Sequence, residues 1–400
     1  MQIRIVKNAK NLNNNLLCNN SVLRVEKQAT QYEKFSLCKG YMYNIEKNKE
    51  EEILTEYKKY DLFKIIDVQN SKRFIYFLNI DDIEKESPTY TVYKYDVTSK
   101  EVIKVYSFES KLEQYLSYAK VKIFVINEDF VLLQNEYLRA NLTEDYEGYF
   151  DFDLQLYCVH EDRLYNVVDE NLNNNGIEQI VALEDNICAI KTGFSLIEDS
   201  RYKKLSKNEV SVESVSIVNI LQLVSDMKIM KQSIIIDNID CVYYDSTIPY
   251  IEKNGDFLIY SKVNFEKNEE EIVFYNFKSK QAIKCINTNV HSTSDLGVHY
   301  VIGGQPYIMH MTQKGASFYN ILKNKVDFSF SNDNKVESVC NDFVIVSSEK
   351  KKLFGKKAKY ISVYKHPLMN IVHSEKGLFK NCISGDYDEI FVLINTKGEM

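Results

Sequence analysis

Apolar and polar residues alternate in short runs along this chain, and the runs come in pairs joined by tight turns. EIVFYNFKSKQAIKC (271–285), GASFYNILKNKVDFSF (315–330) and KGYMYNIEKNKEEEIL (39–54) each read as a β-hairpin: an alternating run, a short Lys/Ser or Lys/Asn turn, then a second run. Aligned on the tyrosine of the opening run, the pattern recurs at Tyr43, Tyr95, Tyr157, Tyr275, Tyr319 and Tyr364. The interval from Tyr157 to Tyr275 is about twice the others, and SIVNILQLVSDMKI (216–229) fits into it with Val218 at the tyrosine position. Seven copies result, spaced by 52, 62, 61, 57, 44 and 45 residues.

The columns of this alignment have a consistent chemistry. The residue before the anchor is apolar in every copy but one, where it is Lys94, and the residue two after it is apolar in all but the last, where it is His366. Those positions face opposite sides of a strand, so the strand is expected to be buried on both faces. Asn44, Asn219, Asn276 and Asn320 directly follow the anchor, which predicts a strand end where the carboxamide bonds the turn backbone. Ahead of each hairpin lies a second pair of runs, as in KIFVINEDFVLLQNEYL (122–138) and VHYVIGGQPYIMHMTQ (298–313), joined by Asn-Glu-Asp or Gly-Gly turns.

Each unit is therefore four short antiparallel strands, and the expected fold is all-β: a seven-bladed β-propeller of four-stranded antiparallel blades. The last stretch, LFKNCISGDYDEIFVLIN (378–395), supplies only a first pair of strands, and the Tyr43 hairpin supplies only a second. Together they predict a ring closed by N- and C-terminal strands sharing one blade, which leaves no exposed sheet edge at the joint. The expected organisation is an N-terminal flanking segment (1–35) followed by a single propeller domain (36–400). Residues 208–227 also show helical spacing at Val215, Val218, Leu221 and Val224, which leaves two alternatives to a plain fourth blade: a short helical insertion there, or only six blades.

In period and strand pattern, residues 36–400 resemble seven-bladed repeat proteins of the WD40 and YVTN type. The resemblance does not extend to signature residues: there is no Gly-His…Trp-Asp pair, no tryptophan at all, and no repeated kelch double glycine.

Composition narrows the function classes. Of 400 residues, 44% are hydrophobic, only 13 are Gly and 4 are Pro, so no Gly- or Pro-rich linker divides the chain. The net charge of −7 is spread along it, which argues against nucleic acid as a partner. No apolar N-terminal stretch reads as a secretory signal, and no run reaches membrane-spanning length, so neither export nor a membrane is expected. Cys18, Cys38, Cys158, Cys188, Cys241, Cys285, Cys340 and Cys382 are scattered without a C-x-x-C pair, as free core cysteines are, and predict a reducing, cytoplasmic compartment.

Two loops on the long-loop rim of such a fold carry opposite charge. EDYEGYFDFD (144–153) includes Asp145, Tyr146, Tyr149 and Asp151, and KKKLFGKKAK (350–359) includes Lys350, Lys351, Lys352, Phe354, Lys356 and Lys357. Variable loops on a rigid scaffold are where recognition resides, so these residues are the candidate binding set. No cofactor or metal is expected: the acidic loop lacks the ligand order of an EF-hand, and the six histidines lack metal-ligand spacing. His299 and His310 fall in adjacent strands and are the candidates for the central channel. With no nucleophile or phosphate-binding motif, the first expectation is a non-enzymatic propeller that binds a protein partner through its long-loop rim. The alternative is a small-ligand-binding or hydrolase- or lactonase-type propeller that uses the channel.

Overall fold

The computed structural model describes residues 2–7, 16–17, 20–29, 36–53, 65–81, 89–109, 115–139, 149–167, 176–184, 186–192, 195–196, 211–228, 235–243, 251–264, 269–289, 298–351, 357–384 and 389–396. They form an eight-bladed β-propeller. Blade 1 consists of Leu16–Leu17, Ser21–Ala29, Ser36–Asn44 and Lys49–Glu52. Blade 2 is Ile65–Asn70, Phe74–Asp81, Thr89–Asp96 and Val102–Glu109. Blade 3 is Tyr115–Val125, Phe130–Arg139, Tyr149–Cys158 and Arg163–Asn166. Blade 4 runs from Ile177–Glu184 through Ile187–Thr192, extended by Ser195–Leu196, to Ser211–Asn219 and Ile235–Tyr243. Blade 5 is Glu252–Asn254, Phe257–Asn264, Glu269–Asn276 and Gln281–Asn289. Blade 6 is Val298–Ile302, Gln305–Thr312, Gly315–Asn320 and Lys325–Ser331. Blade 7 is Asn334–Cys340, Phe343–Lys351, Lys357–Lys365 and Asn370–Lys376. Blade 8 is Leu378–Ser384 and Glu389–Asn395, with Gln2–Lys7 added as a parallel third strand.

The expected count of seven is corrected to eight. The Tyr43 hairpin does not complete the C-terminal blade, because Leu16–Leu17 and Ser21–Ala29 already give it two strands of its own. The ring still closes by sharing a blade between the termini, but through Gln2–Lys7. That strand pairs in parallel, with Ile5 opposite Val392, and ends no hairpin, so the anchor pattern has no eighth copy to reveal it.

All seven anchors occupy the same place, the penultimate residue of the third strand, opposite the second strand of their blade. Where the anchor is tyrosine, the residue five further on has positive φ: Asn48, Lys100, Asp162, Lys280, Asn324 and Met369. The tight loop thus ends in a left-handed residue that reverses the chain into the fourth strand. The asparagine after the anchor bonds that loop: Asn44 accepts from the Lys47 amide at 2.8 Å, Asn276 from Ser279 at 2.9 Å and Asn320 from Lys323 at 3.0 Å. In blade 4 the same asparagine starts a helix, α1 (Ile220–Lys228), by accepting from the Gln222 amide at 3.1 Å. Ile220, Leu223 and Val224 bury its inner side against blades 3 and 4. The expected helical insertion is present, placed after the third strand.

Double-sided burial follows from the alternation. In the second strand of blade 2, Ile75 and Phe77 join the core shared with blade 1, whereas Tyr76 and Leu78 join the core shared with blade 3. Each such fully buried side chain contributes about 1.5–3 kcal/mol. Apolar clusters of this kind fill the joints between successive blades, and the last unites Val22, Tyr43 and Ile45 of blade 1 with Ile383, Phe391 and Leu393 of blade 8. Lys94, the polar exception before an anchor, points at the next blade like its apolar counterparts. Its ammonium donates to the Tyr157 hydroxyl at 2.7 Å and lies 3.5 Å from Asp162, while Tyr157 itself donates to Asp162.

Candidate ligand site in the central channel

First strands of neighbouring blades approach one another, as in blades 2 and 3, 4 and 5, 6 and 7, and 7 and 8, so they surround the ring axis. Between the first strands of blades 2, 3 and 4 lies a cavity of about 350 Å³, lined by Gln69 and Asn70, by Lys122, Ile123, Phe124 and Val125, and by Ile180. The strand of blade 3 presents both faces around this space. Ile123 and Val125 pack toward blade 2, and Phe124 packs with Ile180 toward blade 4.

A polar network fixes the walls. Lys122 lies 2.7 Å from Glu136 and 3.6 Å from Glu178. The Gln134 amide donates to Glu136 at 2.9 Å and to the Ile177 carbonyl at 3.1 Å, and its oxygen accepts from the Ile177 amide at 2.6 Å. Gln179 clamps the start of blade 5 in the same way, donating to the Ile251 carbonyl at 2.7 Å and accepting from the Ile251 amide at 2.8 Å. Each two-point amide contact sets the position of one blade against the next, so the cavity is built before any ligand enters. Chemically its lining offers one ammonium, already paired with Glu136 and Glu178 outside the lining, two carboxamides, and an aromatic and aliphatic wall. Such a set orients a small polar molecule and covers its apolar part.

The candidates named from the sequence lie elsewhere. Lys350 is exposed in the second strand of blade 7, with its ammonium 5.1 Å from the centre of the Tyr360 ring. Lys351 and Lys357 pair at the end of the same hairpin, and Lys352, Phe354 and Lys356 lie outside the described residues. Tyr149 and Asp151 pair with Arg139 and Tyr137 in blade 3, and Asp145 and Tyr146 lie outside the described residues. His299 and His310 occupy the two inner strands of blade 6, with His310 two residues beyond Ile308, the partner of His299, and so on the same face. His299 packs edge-on against Phe274 of blade 5. Burial, reinforced by His310, pushes its pKa down to about 4. Neither histidine lines the cavity.

The residues that do line it carried little sequence signal. Gln69 and Asn70 resemble the beginning of a turn, and Lys122 stands in an alternating run like any outward-facing lysine. Among the described residues, no group of three His, Cys, Asp or Glu is placed to hold a metal ion, and no helix is long and apolar enough to cross a membrane.

Fold and cavity together define an eight-bladed propeller with a ligand-sized space at the inner strands of blades 2–4. Among solved structures, the chain is similar to dipeptidyl peptidase 4 from Porphyromonas gingivalis, with a TM-score of 0.52 and 12% identity over 89% of this chain and 50% of that one. This chain thus spans about half the length of that peptidase, and at such identity the likeness is one of fold. Looser similarity links it to the β-propeller domain of the Trilobed protease from Pyrococcus furiosus (TM-score 0.43, 8% identity, 89% and 94% covered). A comparable one links it to oligogalacturonate lyase from Vibrio parahaemolyticus (TM-score 0.41, 9% identity, 90% of each chain). No family model matches the sequence, WD40 and YVTN types included, and no curated protein matches it. The expectation of a non-enzymatic, partner-binding propeller is thereby corrected in favour of its channel alternative: the fold is shared with a peptidase, and the likeness is one of fold.

Proposed function

We propose that this chain takes a small polar ligand or substrate into its central channel, either as a binding propeller or as the substrate-holding part of an enzyme. The observation that carries the reading is the cavity of about 350 Å³ at the first strands of blades 2–4, whose Lys122 is held in the Gln134–Glu136–Lys122 network. The one charged group of the lining, Lys122, is paired with Glu136 and Glu178, and Gln69 and Asn70 supply donors and acceptors for an amide. A short peptide, with amides to bond and side chains to cover, has that chemistry. The peptidase likeness makes it the first class to try, and a neutral oligosaccharide the second.

Isothermal titration calorimetry with a panel of di- and tripeptides and of neutral oligosaccharides tests this directly. Binding is expected in the micromolar to millimolar range for at least one peptide. Ile180→Trp, which fills the space, should weaken it at least tenfold while leaving the circular dichroism spectrum unchanged. Equal affinity in wild type and Ile180→Trp, or no binding by any member of either panel, would overturn the reading.

A further inference from the structure

Two cysteines meet across the last joint of the ring. Cys340 ends the first strand of blade 7, and Cys382 lies in the first strand of blade 8. Both are half-buried thiols outside any disulfide, both pack against the apolar cluster that joins these blades, and the Cys382 thiol hydrogen-bonds to Cys340. The pair is 42 residues apart in sequence and belongs to different sheets, so the fold alone brings it together. Cys188 is different: it is fully buried, and burial alone pushes its pKa up to about 12, as in an inert core thiol.

We infer that Cys340 and Cys382 form a reversible dithiol–disulfide site that staples blade 7 to blade 8 when the chain meets a small-molecule disulfide. Hydrogen-bonded thiols on facing strands need only side-chain rotation and a small approach to reach bonding distance. Cys340 ends its strand at the Asn341–Asp342 turn, whereas Cys382 lies within its strand, so Cys340 is the thiol placed to meet the small disulfide first. Its thiolate attacks one sulfur of the small disulfide, whose S–S bond breaks and releases one small thiol. Cys382 then loses its proton and attacks the Cys340 sulfur of the mixed disulfide, forming the Cys340–Cys382 bond and releasing the second small thiol. Two protein thiols are oxidised and one small disulfide is reduced to two thiols, with the two protons carried by the products.

The position gives the bond a consequence. Blade 8 is held on one side by a parallel strand from the chain's other end, whereas covalent closure between blades 7 and 8 secures its inner strand independently. A closed loop of this length restricts the unfolded chain substantially.

Oxidised glutathione is the probe, applied to the folded chain at pH 8, followed by iodoacetamide trapping and peptide mass mapping. The expected product is a linked peptide pair containing Cys340 and Cys382, lighter than the dithiol by about 2 Da, together with a Tm higher by roughly 5 °C that dithiothreitol reverses. Cys382→Ser should instead stop at a glutathione adduct on Cys340 with no gain in Tm. If both cysteines in the folded wild-type chain remain alkylated by iodoacetamide after oxidation, or if the linked peptides contain other cysteines, the inference is wrong. The mapping on wild type decides even if the serine variant does not fold.

Discussion

His299 shows what the inter-blade core does to an ionisable side chain. Its ring sits between blades 5 and 6 against Phe274, and its Nε2 is buried without a hydrogen-bond partner among the described residues. Burial and His310 hold its pKa near 4, below the ordinary value of 6.5. In the unfolded chain the ring takes up a proton as pH falls through 6.5, whereas in the folded chain it stays neutral until about 4. Stability from this group is therefore complete above pH 6.5 and is lost progressively between 6.5 and 4. Between pH 7 and pH 5 the loss amounts to about 2 kcal/mol. Urea denaturation of wild type and His299→Phe at the two pH values should show that the variant's decline is smaller by this amount. Equal declines would mean that the ring is solvated. Lys94 illustrates the opposite solution, a buried ammonium that donates to Tyr157 and lies 3.5 Å from Asp162 across a joint.

At the scale of elements, one side chain starts either a turn or a helix. Asn219 and Asn320 come directly after their anchors in the same way, yet the first caps α1 and the second bonds a tight turn. The residues on the C-terminal side of each asparagine make the difference. After Asn320 the chain places Asn324 at positive φ, which asparagine tolerates, whereas after Asn219 the equivalent position is Leu223, with Ile220 and Val224 at helical spacing beside it. Asn320 also donates to Gln305 at 2.7 Å and to Asp327 at 2.9 Å, and it is fully buried. Asn219→Ala should cost about 1 kcal/mol, the usual value of a cap, and Asn320→Ala about 2–3 kcal/mol, because buried partners lose their bonds. Equilibrium denaturation of the two variants measures the difference, and equal costs would show that the burial of Asn320 adds nothing. These elements were legible in the sequence because alternation, anchor and turn residues are local. The split outcome at the two asparagines was legible only in part: of the helical spacing read at Val215, Val218, Leu221 and Val224, the first two lie in the strand and Leu221 is exposed, and the buried face is Ile220, Leu223 and Val224.

At the scale of the molecule, the ring depends on a contact between residues almost a chain length apart. Gln2–Lys7 covers the edge of Glu389–Asn395, whose Phe391 and Leu393 reach the blade 1 core. Ile5→Pro removes an amide from that pairing and should open the joint, exposing an unpaired strand. The expected outcome is a Tm lower by several degrees and a concentration-dependent rise in light scattering. An unchanged Tm would mean that the apolar cluster closes the ring without the strand.

The sequence by itself determined the paired strands, the anchor and the asparagine that bonds the turn at the strand end, because each depends on neighbours within a few positions. Only the tertiary structure decided that there are eight blades, that a strand near the N-terminus completes the last of them, and that Gln69, Lys122 and Ile180 surround one cavity. The physical reason is the same in each case. A hairpin repeats its own signature, whereas a parallel strand or a channel wall is made by groups far apart in sequence, whose pattern becomes visible only when the ring brings them together.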